Sequence, residues 1–404
     1  MLRVAETGDT AQRIEAVHKR YDIDPKQVRL VRAPYRICPL GAHIDHQLGT
    51  VTAMAIDRAV WLAFAPTPAD RRVRLTSRSF AGDVDFALDA VPDRVDGDWG
   101  NFPRGAVRAL QAAGHDLRCG IVGVTDGGLA EGGLSSSAAI GVAYLLALQA
   151  ANGLVVAADD NIRLDQAIEN GYLGLRNGIL DPAAILLSRR DQLTVIDCKS
   201  MTHEVVPAGT ALLPFRVLIA FSGLRQALVS TDYNRRVGEC QQAATALLAA
   251  SGRVGTQARL GHITQDEYDA HAGVLTGPPS RRAAHVFGEM ARVRDGVAAW
   301  RRGDTAELGR LMTASGHSSI HNYECGAPPL IDLYDILRTT DGVYGARFSG
   351  AGFRGCCVAL VAPDAAVDAV ASVRRRYARA RPELAAEAPV FLCDSDDGAR
   401  LVAQ

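Results

Sequence analysis

Apolar and polar positions first fall at helical spacing over residues 10–21, then in strand-like runs at 28–31, 51–64, 72–77 and 84–88. A helix follows over 102–113, with Pro103 near its start, where proline is tolerated. Residues 119–125 read as a strand, a long apolar helix begins at 138, a second helix spans 161–173, and 192–197 is again a strand. A fresh strand over 215–221 is followed by helices over 233–250, 281–300 and 330–338. Two strands, 343–349 and 356–361, flank a glycine-rich turn, and a helix over 365–378 and a strand over 390–393 close the chain.

Strands grouped with helices, without strict βαβ alternation, predict an α+β architecture. At 404 residues the chain exceeds the usual size of one core, so two domains are expected, 1–210 and 211–404, although no Pro/Gly/Ser-rich linker marks the boundary. The most apolar stretch, 138–158, is interrupted by Gln149, Asn152 and Gly153 and reads as a buried helix, not a membrane span.

Composition narrows the picture without sharpening it. Hydrophobic content of 48% and charged content of 22% are those of a soluble globular protein. A formal net charge of −1 gives no bulk reason to expect nucleic acid or an anionic membrane as partner. The N-terminal residues lack the apolar core of a signal peptide, so a cytoplasmic location is expected. The 8 cysteines are scattered, with one adjacent pair, Cys356 and Cys357, and no Cys-x-x-Cys. That pattern is neither a disulfide framework nor a zinc ribbon; reduced, mostly buried thiols are the expectation.

Candidate chemistry concentrates in a few places. Ala33-Pro-Tyr-Arg-Ile-Cys-Pro-Leu-Gly-Ala-His-Ile-Asp-His46 opens as a short strand, breaks at two prolines, and then sets Arg36, His43, Asp45 and His46 among small residues. A guanidinium, a carboxylate and two imidazoles so close together point to a polar small-molecule site. No further His/Cys cluster completes a zinc site with them. Gly132-Gly-Leu-Ser-Ser-Ser-Ala138 lies between a strand and a helix. It reads either as a phosphate cradle on a helix N-terminus or as a serine cap on a buried helix. Neither a Walker A loop nor a Gly-x-Ser-x-Gly elbow occurs. Gly350-Ala-Gly-Phe-Arg-Gly355 has dinucleotide-like spacing, but a strand follows it where a Rossmann site needs a helix. A tight turn between strands is the better account. Asp181, before Pro182, reads first as a turn or cap residue and Glu169 as a solvated helix residue, with a functional carboxylate the second reading of each.

Taken in order, the three segments 33–46, 132–138 and 345–356 resemble those of the GHMP small-molecule kinases, most closely the galactokinase branch. Within it, the chain is similar to the galacturonokinases of plants from about residue 31 onward. The runs Ile168-Glu-Asn-Gly-Tyr-Leu-Gly-Leu-Arg-Asn-Gly-Ile-Leu-Asp181, Phe221-Ser-Gly-Leu-Arg-Gln-Ala-Leu228 and Asn322-Tyr-Glu-Cys-Gly-Ala327 carry that further likeness.

The resemblance implies a two-domain fold, ribosomal protein S5 domain 2-like then ferredoxin-like, with the site between them. It implies ATP and Mg²⁺ as cofactors and phosphorylation of a sugar acid's anomeric hydroxyl. On it, Asp181 and Arg36 take the catalytic positions. Gly132, Gly133, Leu134, Ser135, Ser136, Ser137 and Ala138 take the phosphates. Ser136 or Ser137, with Glu169, takes the metal, and His43, Asp45 and Tyr233 take sugar hydroxyls. Arg176 and His46 are candidates for the sugar carboxylate.

The signature departs from the galactokinase pattern at Ala42, where that family has a glutamate. Opposite a uronate carboxylate, such a glutamate would cost on the order of 4 kcal/mol at about 4 Å and an effective dielectric of about 20, roughly a thousandfold in affinity. A bland reading is that Ala42 merely reshapes a neutral-sugar pocket. The alternatives are a galactokinase, a glucuronokinase, or a non-catalytic sugar sensor on the same scaffold; the intact Ser135-Ser-Ser-Ala138, Glu169 and Asp181 favour an enzyme. A monomer or small homo-oligomer is expected.

Overall fold

The computed structural model describes residues 4–127, 132–175, 177–224, 232–255, 257–353 and 355–403. Its organising strand is Thr50–Thr67, which has 18 residues, is mostly buried, and pairs with four other strands. On one side runs Arg29–Ile37, antiparallel; on the other, Gly120–Asp126. Gln192–Asp197 pairs with the beginning of the same strand. The resulting sheet has nine strands. Four antiparallel strands, Val390–Cys393, Arg216–Phe221, Cys356–Val361 and Val343–Phe348, form a second sheet. The α+β expectation holds.

Several features depart from the sequence reading. The first strand does not stop at Pro34; it continues to Ile37, with its register to Thr50–Thr67 shifting between Pro34 and Arg36. A bulge there accommodates a residue that has no N–H to give. The helix expected over 161–173 ends at Gln166 and continues as a wider π turn, Ala167–Tyr172. Finally, Ser395–Asp396 and Arg400–Val402 return to pair with Thr50–Thr67 and Arg29–Ile37, so the chain's last residues complete the first sheet.

Two long helices of the second half matter for the site. Gly277–Arg302 begins with prolines in its first turn, where their missing N–H groups cost nothing, and ends at Gly303 in the left-handed conformation, φ +76°. Thr305–His321 follows, capped by Asp304, whose carboxylate accepts from the Glu307 N–H. The sequence reading had no helix there.

Candidate active site

The signature segment leaves its strand through a tightly bonded loop. Leu40 N–H donates to Thr52 Oγ at 2.8 Å, and the Thr52 hydroxyl donates back to the Leu40 carbonyl at 2.7 Å. Gly41 has φ +108°, and a Cβ there would meet Val51 Cα at 2.7 Å, so only glycine fits. His43 also adopts a left-handed conformation, φ +60°, which costs a non-glycine residue roughly 1–2 kcal/mol. Its ring lies flat on Tyr323, centroids 4.1 Å apart and planes within 5°, with Nε2 at 3.4 Å from Cys325 Sγ. Burial holds the His43 imidazole well below its ordinary pKa. His46 Nε2 is 3.2 Å from the Tyr323 hydroxyl, and its ring meets that of Tyr233 edge-on at 6.1 Å. Tyr233 opens the helix Tyr233–Ala250. Asp45 is crowded by the Asn177–Gly178 turn, where a Cβ on Gly178 would sit 2.3 Å from its Oδ2. Burial, then the nearby Asp181 charge, push the Asp45 carboxyl up to about 6.

Arg36 ties this segment to two others. Its Nε donates to Asp181 Oδ1 at 2.8 Å and its Nη1 to the Gly133 carbonyl at 3.0 Å, while its backbone N–H donates to the Leu134 carbonyl. Asp181 sits in the first turn of the helix Leu180–Leu187, a favourable place for a carboxylate, with Pro182 tolerated beside it.

The serine loop supplies the third wall. Gly132, Gly133 and Ser135 all have positive φ, +50°, +99° and +59°, which turns successive backbone groups about one centre ahead of the helix Ser136–Asn152. Ser135 Oγ is buried without a hydrogen-bond partner among the described residues. The glycine turn of the third segment packs directly on this loop. Ser349 Oγ donates to the Gly133 carbonyl, and a Cβ on Gly350 or Gly355 would meet Gly133 Cα at 2.8 Å or the Gly132 carbonyl at 2.4 Å. That explains two of the glycines in the dinucleotide-like spacing: they allow backbone to approach backbone.

Glu169 lies on the π turn, facing the loop. Ser137 Oγ donates to its Oε1 at 2.7 Å and Asn177 Nδ2 to its Oε2 at 3.0 Å. Burial, then Asp181, push its carboxyl up to about 7. Asp165, one turn earlier, is fully buried, with neither carboxylate oxygen bonded among the described residues. Burial and the neighbouring carboxyls push both Asp165 and Glu169 above the ordinary carboxylate range, towards their neutral forms, a crowding that a cation would relieve. Among the described residues no group of three His, Cys, Asp or Glu converges as a ready-made metal cage. The donor set therefore fits a hard divalent ion that takes a carboxylate and a hydroxyl from the chain and its other oxygens from phosphate or water. Beside the same helix, Phe80, Trp99, Phe102, Ile140 and Tyr144 line a largely apolar cleft.

Arg176, a sequence candidate, lies outside the described residues, as do residues 128–131, 225–231 and Arg354. Sequence reasoning missed Tyr323, Asn177, Asp165 and, above all, His285 and Glu289. Those two are fully buried polar residues four apart on Gly277–Arg302, between the buried Ala283, Val286, Phe287 and Val293. A histidine and a glutamate on an otherwise apolar helical face were the available signal.

Residues 18–66 match the family model for the galactokinase galactose-binding signature, 101–189 that for the GHMP kinases N terminal domain, and 297–379 that for the GHMP kinases C terminal region. The chain is 50% identical to the galacturonokinase of Arabidopsis thaliana, over 96% of this chain and 97% of that protein. It is 33% identical to a galactokinase of Roseiflexus sp., over 96% of each. In structure it is similar to Lactococcus lactis galactokinase complexed with galactose, with a TM-score of 0.88, 28% identity, and coverage of 96% of this chain and 98% of that one. A mevalonate kinase of Methanococcus jannaschii shares the fold at a TM-score of 0.63. No helix among the described residues is long and apolar enough to cross a membrane.

Proposed function

Because the chain belongs to the GHMP kinases, in their galactokinase branch, we propose that it is a galacturonokinase. It transfers the γ-phosphoryl group of ATP to the anomeric hydroxyl of D-galacturonate, giving α-D-galacturonate 1-phosphate and ADP. The observation that carries this reading is Ala42: a methyl group stands in the signature where a carboxylate would repel a uronate. The 50% identity to a galacturonokinase, against 33% to a galactokinase, supports the same choice.

The geometry supports the following roles. The two guanidinium contacts that Arg36 makes to Asp181 both fall on Oδ1, which leaves Oδ2 to face the acceptor hydroxyl. Asp181 orients that hydroxyl and takes its proton as the bond to phosphorus forms, while the Arg36 guanidinium offsets the charge of the transferring group. Gly132 to Ala138, with the Ser135 hydroxyl that has no partner among the described residues, cradle the phosphates. Glu169 with the Ser136 or Ser137 hydroxyl would hold Mg²⁺, whose charge offsets that of the phosphates. His43, Asp45 and Tyr233 line the sugar side, and His46 and Arg176 stand nearest in role to its carboxylate.

The substrate is proposed to sit between residues 1–210 and 211–404, in a cytoplasmic monomer or small homo-oligomer without nucleic-acid partners. A coupled ADP-release assay across galacturonate, glucuronate and galactose tests the reading: turnover greatest on galacturonate supports it, and turnover on galactose alone overturns it.

A further inference from the structure

Position 42 is held from outside its own segment, and by a single helix. The Ala42 N–H donates to Glu289 Oε1 at 3.0 Å and the Gly41 N–H to the same oxygen at 2.8 Å. His285 Nε2 donates to the Ala42 carbonyl at 2.8 Å. His285 and Glu289 are four residues apart on Gly277–Arg302 and therefore share one face. Both are completely buried. The Ala42 peptide groups are thus gripped on both sides.

The grip has a defined protonation state. A carbonyl can only accept, so His285 Nε2 carries the proton. Burial keeps the ring neutral, so Nδ1, 3.0 Å from Ser318 Oγ, accepts from that hydroxyl, whose oxygen accepts in turn from Asn322 Nδ2. Glu289 is equally committed. Ser315 Oγ donates to Oε1 at 2.6 Å and Arg292 Nε to Oε2 at 2.6 Å. The Arg347 guanidinium, bonded to the Cys38 carbonyl at 2.9 Å, lies 4.0 Å from Oε1. Its negative charge is met by two arginines and by two backbone N–H groups of the loop itself. A glutamate therefore stands behind Ala42 without presenting an unbalanced charge towards the pocket.

The loop needs such a grip. Ala42 is flanked by Gly41 and His43, both in the left-handed region, and a turn of this kind persists only where surrounding contacts over-determine it. The place of the residue-42 Cβ is consequently decided by a helix some 240 residues away in sequence. On the reading that residue 42 faces the sugar's C6 group, we propose that His285 and Glu289 are specificity-positioning residues. They fix how far the residue-42 side chain stands from C6, and hence the discrimination between a carboxylate and a hydroxymethyl group there.

The test compares kcat/KM for galacturonate and for galactose in the full chain and in His285→Leu, His285→Gln and Ser315→Ala. Leucine fills the space without a donor; glutamine restores an N–H. The galacturonate-to-galactose ratio should change by about tenfold in His285→Leu, with the KM for ATP held within about twofold, and should return in His285→Gln. Ser315→Ala, which removes one donor from Glu289 and little volume, should move the ratio in the same direction by about threefold, so the test stands even if His285→Leu does not fold. Equal losses on both acceptors, or no return with glutamine, would overturn the proposal. The ratio is defined whichever acceptor the wild type prefers. A wild type that favours galactose therefore counts against the uronate reading, while the variants still decide the grip.

Discussion

Arg36 reaches Asp181 with two nitrogens, and both land on Oδ1, at 2.8 and 2.7 Å. One carboxylate oxygen is thereby occupied, and on the proposed function the other faces the acceptor hydroxyl. Asp181→Asn keeps the shape and the Oδ1 contact but cannot take a proton. It should lower kcat by about 10²–10⁴-fold while ATP affinity, read by calorimetry, stays within about threefold. Full turnover in that variant would remove Asp181 from the mechanism.

Gly355 has φ +92° and no room for a Cβ, which would strike the Gly132 carbonyl at 2.4 Å. Gly355→Ala should therefore push the phosphate loop out of place. The KM for ATP should rise by at least about tenfold, with a smaller change in the KM for the sugar. An unchanged KM for ATP would mean that the contact between the third segment and the loop has no bearing on nucleotide binding.

Glu169 is proposed to hold the ion through one carboxylate oxygen. Glu169→Gln keeps the Ser137 contact available but removes the charge, so half-maximal activity should require at least about tenfold more Mg²⁺. Activity titrated against Mg²⁺ at fixed ATP reads this directly; superimposable curves would assign the ion elsewhere.

The three polar segments were legible because each is local: a run of adjacent residues carries both its turn chemistry and its functional groups. Asp181 and Glu169 stood out only through the likeness to a family, whereas the strands Cys356–Val361 and Val390–Cys393 were legible from their own apolar runs. What could not be read is what long-range pairing decides. Arg400–Val402 is too short to read as a strand until Arg29–Ile37 is beside it. Pro34 looks like a strand breaker until a bulge accommodates it. His285 and Glu289 lie on a helix whose apolar spacing says core, and nothing nearby in sequence announces that their partner is the Ala42 backbone.

The neutral state of His285 has a consequence for stability. Burial lowers its pKa to about 4 from the ordinary 6.5, against the opposing pull of Glu289; Arg292 and Arg347 also face it. Between those values the unfolded chain binds the proton and the folded chain does not, so this residue makes stability fall as pH drops from 6.5 towards 4. The contribution is on the order of 3 kcal/mol. Relative to His285→Gln, the wild type should lose stability by that order over this window and show a constant difference above about pH 7. Urea titrations at a series of pH values check it; a difference that does not vary with pH contradicts a neutral buried imidazole.

The central claim is that the missing carboxylate at position 42 admits a uronate. One measurement tests it most directly: equimolar galacturonate and galactose competing for limiting ATP labelled in its γ-phosphate, with the two sugar phosphates separated and counted. The partition gives the ratio of the two kcat/KM values without separate kinetics. The wild type should place most of the label on galacturonate, and Ala42→Glu should shift the ratio towards galactose by up to about a thousandfold. A wild type that labels galactose, or a ratio untouched by Ala42→Glu, would contradict the account.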